Sequence, residues 1–297
     1  TLSDKEKFPL RCADLMVMHL DEHLPEVVTY EKARYLAIDD LPCAGMAHDP
    51  TFYRPQQVDG TIRTSDVPCV MAIDPSGGGA DEFAWAIVKA WAGNYFLVES
   101  GGKLNGVNDE LWKHLAKLAR EHDVKQIIVE TNFGGLEIYS QILKKYLINA
   151  GAECAVEGIR SNQRKELRII DTLAPVMQTH RMIVDRRVIE KDADLLKRAV
   201  EEKDASYSLI HQMTRLSHAR GCLLHDDRLD AWAMCVQWFQ EQAAQNQLTR
   251  KSERTTELLE AMFADEMGHC AMNAQRMAMG MTLEQAQYSD AGAASWI

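Results

Sequence analysis

The sequence predicts an α/β fold, a mixed β-sheet with helices on both faces. Three observations lead there. Val67–Ile73 and Gln126–Val129 are short, unbroken apolar runs of the kind that buried strands require. Phe83–Ala90 and Tyr95–Glu99 flank a turn at Ala92-Gly93-Asn94, so the first three strands read as an antiparallel meander. Helical and extended segments then alternate, an order that suits a sheet covered on both sides.

Residues 1–60, with prolines at 9, 25, 42, 50 and 55, read as a connecting arm or small subdomain with one helix near Lys5–Leu20. The strand Val67–Ile73 ends at Asp74, and the glycine loop Pro75–Gly79 follows. A helix is expected over Asn108–Glu121, where Leu111, Leu115 and Leu118 recur at helical spacing. The strand Gln126–Val129 ends at Glu130. Leu136–Ile148 reads as helix, Ala152–Ile159 as extended chain, and 163–178 and 187–203 as helices with polar faces. Leu223-Leu224 lead into His225-Asp-Asp-Arg-Leu-Asp230, where an aspartate can cap the helix that runs to about Gln240. Trp232, Met234, Trp238 and Phe239 on that helix read as core. Beyond it the chain is rich in Gln, Glu, Met and Ala, with further helices near 253–266 and 282–288.

The bulk properties narrow the function. A chain of 297 residues, 46% apolar, can bury a full core. No run approaches the roughly 18–20 apolar residues that cross a bilayer, so no membrane partner is expected. The N-terminus has neither a signal core nor an arginine-rich presequence. It also lacks an initiator Met, which suggests a fragment. Seven dispersed cysteines without a C-x-x-C pair suggest reduced thiols in a cytosol-like compartment, neither a disulfide framework nor a zinc site. The formal charge of −11 runs against an affinity for DNA, but it is uneven. Residues 1–60 carry 6 basic and 11 acidic side chains, net −5, whereas 160–220 carry 13 and 9, net +4. The second half of the core is the better place for a phosphate backbone.

The chemistry concentrates in acids that follow apolar runs. Asp74 closes the first strand, Glu130 the fourth, and Asp226, Asp227 and Asp230 open the long helix. In an open sheet, residues just past neighbouring strand ends converge on one edge, where ligands usually bind. Carboxylates gathered there repel one another unless a cation or protons lie between them. Hard oxygen ligands favour magnesium or manganese over zinc. Two such ions roughly 4 Å apart activate water and stabilise the leaving oxygen in phosphodiester cleavage. Either Asp227 and Asp230 or Asp226 and Asp230 can share a helix face. The competing structural view makes Asp74 a turn residue, Glu130 a strand-end acid and Asp226 a bare helix cap.

Three motifs, Ile73-Asp74-Pro-Ser-Gly-Gly-Gly-Ala-Asp-Glu82, Ile-Val-Glu130-Thr-Asn-Phe-Gly-Gly135 and His225-Asp-Asp-Arg-Leu-Asp-Ala231, resemble in order the nuclease motifs of phage terminase large subunits, those of short-tailed podoviruses above all. The resemblance runs from about residue 60 to 240. It implies a ribonuclease H-like fold that cuts concatemeric double-stranded viral DNA into genome lengths with magnesium or manganese, two ions in all. Carried over by residue, Asp74, Glu130 and Asp227 become metal ligands, with Asp226 and Asp230 as further catalytic candidates. His225 more simply serves the helix cap. Arg164-Lys-Glu-Leu-Arg-Ile169 also resembles a family segment. Lys165 and Arg168, at i and i+3, become DNA-binding residues, a point charge and a fork for phosphate.

The glycines 77–79 do not make a P-loop, since no Gly-Lys-Ser or Gly-Lys-Thr occurs in the chain. Complete large subunits of the family carry an N-terminal ATPase motor, so this chain is expected to cut DNA without pumping it. The expected division is a linker arm over 1–60, a nuclease domain over 61–246 and a helical or mobile tail over 247–297. The resemblance implies portal protein, terminase small subunit and the ATPase domain as partners, a homo-oligomeric ring in the full motor, and the host cytoplasm as location. Two alternatives remain: a DNA-gripping and portal-docking module without catalysis, and a ribonuclease H-like resolvase or transposase.

Overall fold

A computed structural model describes residues 4–278 except 44, 47–48, 50, 76–80, 105, 132–135, 161–162 and 200–201. The chain divides into two compact units, Thr1–Phe239 and Gln240–Ile297. The first is built on a seven-stranded mixed sheet. Its strands in chain order are β1 (Met16–Met18), β2 (Cys69–Asp74), β3 (Phe83–Trp91), β4 (Asn94–Lys103), β5 (Gln126–Glu130), β6 (Ala155–Ile159) and β7 (Met182–Asp185). Across the sheet they lie in the order β1-β7-β4-β3-β2-β5-β6. β2, β3 and β4 are antiparallel neighbours, while β5 runs parallel to β2, and β6 parallel to β5. This is the mixed sheet with helices on both faces that the sequence predicts.

The meander closes at a two-residue turn, because Trp91 pairs with Asn94. Ala92 and Gly93 both have positive φ there, 50° and 81°, which a tight hairpin with right-handed twist demands. Every residue of β2 is buried, so the strand is covered on both faces. Side chains alternate along a strand, and the two faces accordingly join different cores. Cys69, Met71 and Ile73, with Ile127 and Val129 of β5, pack against Leu111 and Leu115 of α1 (Asp109–Glu121) and Leu143 and Leu147 of α2 (Leu136–Ala150). Val70, Ala72 and Ile128 face the other way. They meet Leu173 and Met177 of α3 (Lys165–Gln178) and Trp232 and Val236 of the helix that begins at Asp227.

α4 (Arg186–Arg198) and α5 (Leu209–Arg215) lie on this second side too, and α6 (Asp227–Ala278) is the long helix, its residues from 240 onward belonging to the second unit. Trp232 and Met234 are core residues, as expected, with Phe239 at the margin. The helix expected near 253–266 falls within α6, and the one near 282–288 lies outside the described residues.

The N-terminal sixty residues differ from expectation in local structure. No helix spans Lys5–Leu20. A single turn, Asp4–Lys7, ends before Pro9, which lacks the N–H that a helix interior needs. Met16–Met18 then adds a parallel edge strand to the sheet, pairing with β7. Leu10, Cys12, Leu15, Val17 and Phe52 are buried in the same core as Leu173 and Trp232. The Asp49 carboxylate accepts from the backbone N–H groups of Cys12 and Ala13, which fixes this segment. β7 itself was absent from the sequence expectation. Its four residues sit between two helices and are too few to show a period.

Candidate active site

Strand pairing places the first two acids. In β2 and β5, Ile73 lies opposite Val129, so Asp74 and Glu130 end adjacent parallel strands. Alternation gives Asp74 the face of Val70 and Ala72, and Glu130 the face of Ile128. That is the side occupied by α3 and α6. The third acid comes from α6. The Asp230 N–H donates to the Asp226 carbonyl at 2.8 Å, so Asp226 stands at the helix start and Asp230 one turn in. One carboxylate oxygen from each of Asp74, Glu130 and Asp230 lies within 4.8 Å of the others.

Two cations from α3 hold this cluster. Lys165 Nζ lies 3.1 Å from Asp74 Oδ2, 2.8 Å from Asp226 Oδ1 and 3.0 Å from Asp230 Oδ2. Arg168 Nη2 donates to Asp230 Oδ1 at 2.5 Å and stands 3.7 Å from Glu130 Oε1. Their i, i+3 spacing on α3 puts both on one helix face, aimed at the sheet edge. The sequence expectation gave both residues to DNA phosphate. Arg168 is 3% exposed and is taken up by the acids, while Lys165 remains about a third exposed.

The expectation also preferred Asp227 to Asp230 as third ligand, and the trio that the fold assembles contains Asp230. Asp227 lies 60° around the helix from Asp230, and its Oδ2 accepts from the Glu82 N–H at 3.4 Å. It stays near enough to add to the negative field at Asp74. His225 is buried with its ring stacked on Tyr207, centroids 4.2 Å apart. Gly77, Gly78, Gly79, Asn132 and Phe133 lie outside the described residues.

The electrostatics are those of crowded, buried acids. Burial raises the Asp74 carboxyl well above its ordinary value, Lys165 pulls it back, and Asp230, Glu130 and Asp227 raise it further. Asp230 is raised for the same first reason, against the pull of Lys165 and Arg168. Burial lifts Asp227 to about 6. Burial works against the Lys165 ammonium, yet Asp230, Asp74 and Asp226 together outweigh it and raise its pKa. The cluster therefore favours bound positive charge.

A divalent cation fits this donor set. All the donors are hard oxygens, the choice of magnesium and manganese. Asp230 is fully buried, and its Oδ2 makes no well-aligned hydrogen bond even with Lys165 3.0 Å away. A buried carboxylate oxygen without such a bond is costly unless something else satisfies it.

Two residues that the sequence expectation passed over complete the frame. Arg228, in the first turn of α6, donates Nε and Nη2 to the two oxygens of Glu82, both at 2.7 Å, and both residues are buried. A Cβ on Gly102 would stand 2.0 Å from the Glu82 carboxyl carbon, so only glycine leaves room there. Arg228 Nη1 also approaches Asp192 of α4 at 4.0 Å. Asp192 in turn accepts from Ser208 Oγ and from the N–H groups of Leu209 and Ile210, which seats α5. The available signal was position, Glu82 at the last step before the apolar strand β3 and Arg228 at the start of the helix that carries the acids.

Residues 73–182 match the family described as Terminase Bacteriophage T7, ribonuclease H-like domain. The terminase large subunit of Enterobacteria phage T3 is 34% identical over 274 residues, which cover 90% of this chain and 44% of that protein. The chain thus spans less than half the length of this curated relative. Among solved structures, the nuclease domain of the large terminase subunit of bacterial virus Sf6 aligns with 57% of this chain and 87% of its own, at 14% identity and a TM-score of 0.38. The human cytomegalovirus terminase nuclease domain, soaked in manganese with an inhibitor bound, aligns with 58% and 82%, at 11% identity and a TM-score of 0.39.

Proposed function

We propose that the chain, whose residues 73–182 match the ribonuclease H-like domain of phage terminases, is the nuclease part of a terminase large subunit, a divalent-metal-dependent endonuclease cutting concatemeric double-stranded viral DNA during packaging. One observation carries the reading, the meeting of Asp74, Glu130 and Asp230 oxygens within 4.8 Å at the edge of the sheet. These three would hold magnesium or manganese, two ions in the full site, with Asp226 and Asp227 close by. Bound metal supplies an acidified water and positive charge for the leaving 3′ oxygen. The chain's own residues do the rest. β2 and β5 fix two ligands by strand register, α6 brings the third, and Arg168 orients Asp230. Lys165 balances carboxylate charge and, part exposed, is within reach of a phosphate. No covalent enzyme intermediate is required.

In the whole motor, a homo-oligomeric ring in the host cytoplasm, the proposed partners are double-stranded DNA, the portal protein, the terminase small subunit and an ATPase domain. Among the described residues no helix is long and apolar enough to cross a membrane.

A second reading, a DNA-gripping and portal-docking module, draws on the formal charge of −11, which weakens unaided DNA binding. Plasmid nicking in manganese, with wild-type protein and Asp74→Ala, separates the two. Nicking that disappears in the variant supports the nuclease. Intact plasmid with the wild-type protein supports docking, and nicking that survives the substitution removes Asp74 from the mechanism.

A further inference from the structure

Beside the acid cluster lies a cavity of about 420 Å³, lined by Ser206, His211, Arg215 and the segment Cys222–His225. Its wall runs directly into Asp226 and Asp227. Consecutive Cα atoms are about 3.8 Å apart, so the His225 backbone in the wall lies about one nucleotide rise, about 3.4 Å, from that of Asp226. We propose that it is a nucleotide subsite for the DNA strand being cut, taking a phosphate on Arg215 and His211 and the attached sugar and base on Leu223 and Leu224. The inference rests on the nuclease reading above and adds to it the site's grip on the strand.

Charge argues for this occupant. Among the described residues no carboxylate lines the cavity, although the protein as a whole carries −11. Arg215 supplies the positive charge. Burial, reinforced by Arg215, holds His211 down at about 4, so at neutral pH its ring is uncharged. Its Nδ1 is buried without a hydrogen-bond partner in the structure. A neutral imidazole beside a guanidinium can donate one further hydrogen bond to an anion without adding a second buried charge.

Apolar surface argues for a nucleotide rather than a bare anion. Leu224 is 65% exposed at the cavity mouth, and Leu223 is half-buried against the core. The stacked pair of Tyr207 and His225 stiffens the inner wall. A base needs such a surface when it leaves its neighbours. The cavity is also held in place relative to the acids. Arg164 Nη2 donates to the His218 carbonyl at 3.1 Å, and the Gly221 N–H donates to Glu166 Oε1 at 2.6 Å. Both contacts tie the 216–222 loop to the first turn of α3, the turn that carries Lys165 into the cluster.

The test measures binding of a fluorescein-labelled 20-base-pair duplex by anisotropy, in calcium, across a salt series. Arg215→Ala should weaken binding about tenfold and lower the slope of log affinity against log salt by about 0.9, one phosphate contact. Leu224→Glu alters an exposed side chain, so folding is untouched, and it should also cost about tenfold. Arg215→Lys should keep the salt slope. In all three, the rise in melting temperature on adding manganese should match wild type. Variants that bind duplex as tightly as wild type, with the same slope, overturn the subsite, and so does a wild-type protein with no affinity for duplex. Wild-type protein that binds duplex but neither takes up manganese nor nicks plasmid defeats the nuclease reading alone.

Discussion

Arg228→Met tests the frame behind the acids. The substitution keeps most of the side-chain volume and removes the guanidinium, leaving Glu82 buried at 3% exposure with its two 2.7 Å hydrogen bonds gone. Breaking one partner of a buried ion pair costs about 3–5 kcal/mol. For a unit of this size each kcal/mol shifts the melting temperature by about 2–4 °C, so a fall of roughly 6–20 °C is expected. Glu82→Met alone should cost a similar amount, because among the described residues Arg228 then keeps no ion-pair partner nearer than Asp192, 4.0 Å away. The double variant is the discriminating measurement. Replacing both ions by apolar side chains is neutral or stabilising by about 1–4 kcal/mol in comparable cases, so it should melt well above either single variant. Differential scanning calorimetry at neutral pH reads all four proteins. If the two single losses simply add in the double variant, the residues do not act as a pair, and the account of α6 being tied to Glu82 is wrong.

Asp230→Asn should abolish both manganese-dependent nicking and the thermal stabilisation by manganese, read by a melt with and without the ion. Asp226→Asn should keep a measurable part of each. In metal-free protein, Asp227 has a folded pKa of about 6 against an ordinary 3.8. It keeps its proton longer when folded, so its contribution to stability is full below about 4 and is lost as pH rises through about 6. Melts in EDTA over that window should show wild type declining more steeply than Asp227→Asn, and equal slopes would refute the shift. Asn108 caps α1 by accepting from the Leu111 N–H at 3.0 Å, so Asn108→Ala should cost about 1 kcal/mol, a fall of about 2–4 °C.

The sheet was legible where side-chain pattern determines structure. β2 and β5 are unbroken apolar runs because helices cover both faces, and the acids that end them follow directly from strand direction. The Ala92-Gly93 turn was legible because few residues tolerate positive φ. Two kinds of information were missing. β1 and β7 are three and four residues long and owe their strand form to distant partners, β1 to β7, where Met16 pairs with Ile183 across 167 positions of chain, and β7 also to β4. Local propensity carries no trace of such a pairing. The choice among Asp226, Asp227 and Asp230 turns on how α6 is rotated about its axis, and that rotation is fixed by Trp232, Cys235 and Val236 seating on the sheet. The motif brings three aspartates to the helix start, and packing sets which of them meets Asp74 and Glu130. Lys165 and Arg168 were read as phosphate ligands, and only the fold shows them turned inward onto the carboxylates.

The three acids are thus held by two different kinds of joint. Asp74 and Glu130 are locked by ladder hydrogen bonds, whose spacing cannot drift without unpairing strands. Asp230 is set by how side chains nest beneath the helix, a fit that one methylene can shift. Changes far beneath the surface, at Trp232 or Val236, should therefore retune the spacing of the cluster, while equivalent changes under α1 leave it alone. In this scaffold the distance between the clustered carboxylates is adjusted from the hydrophobic interior, through one helix.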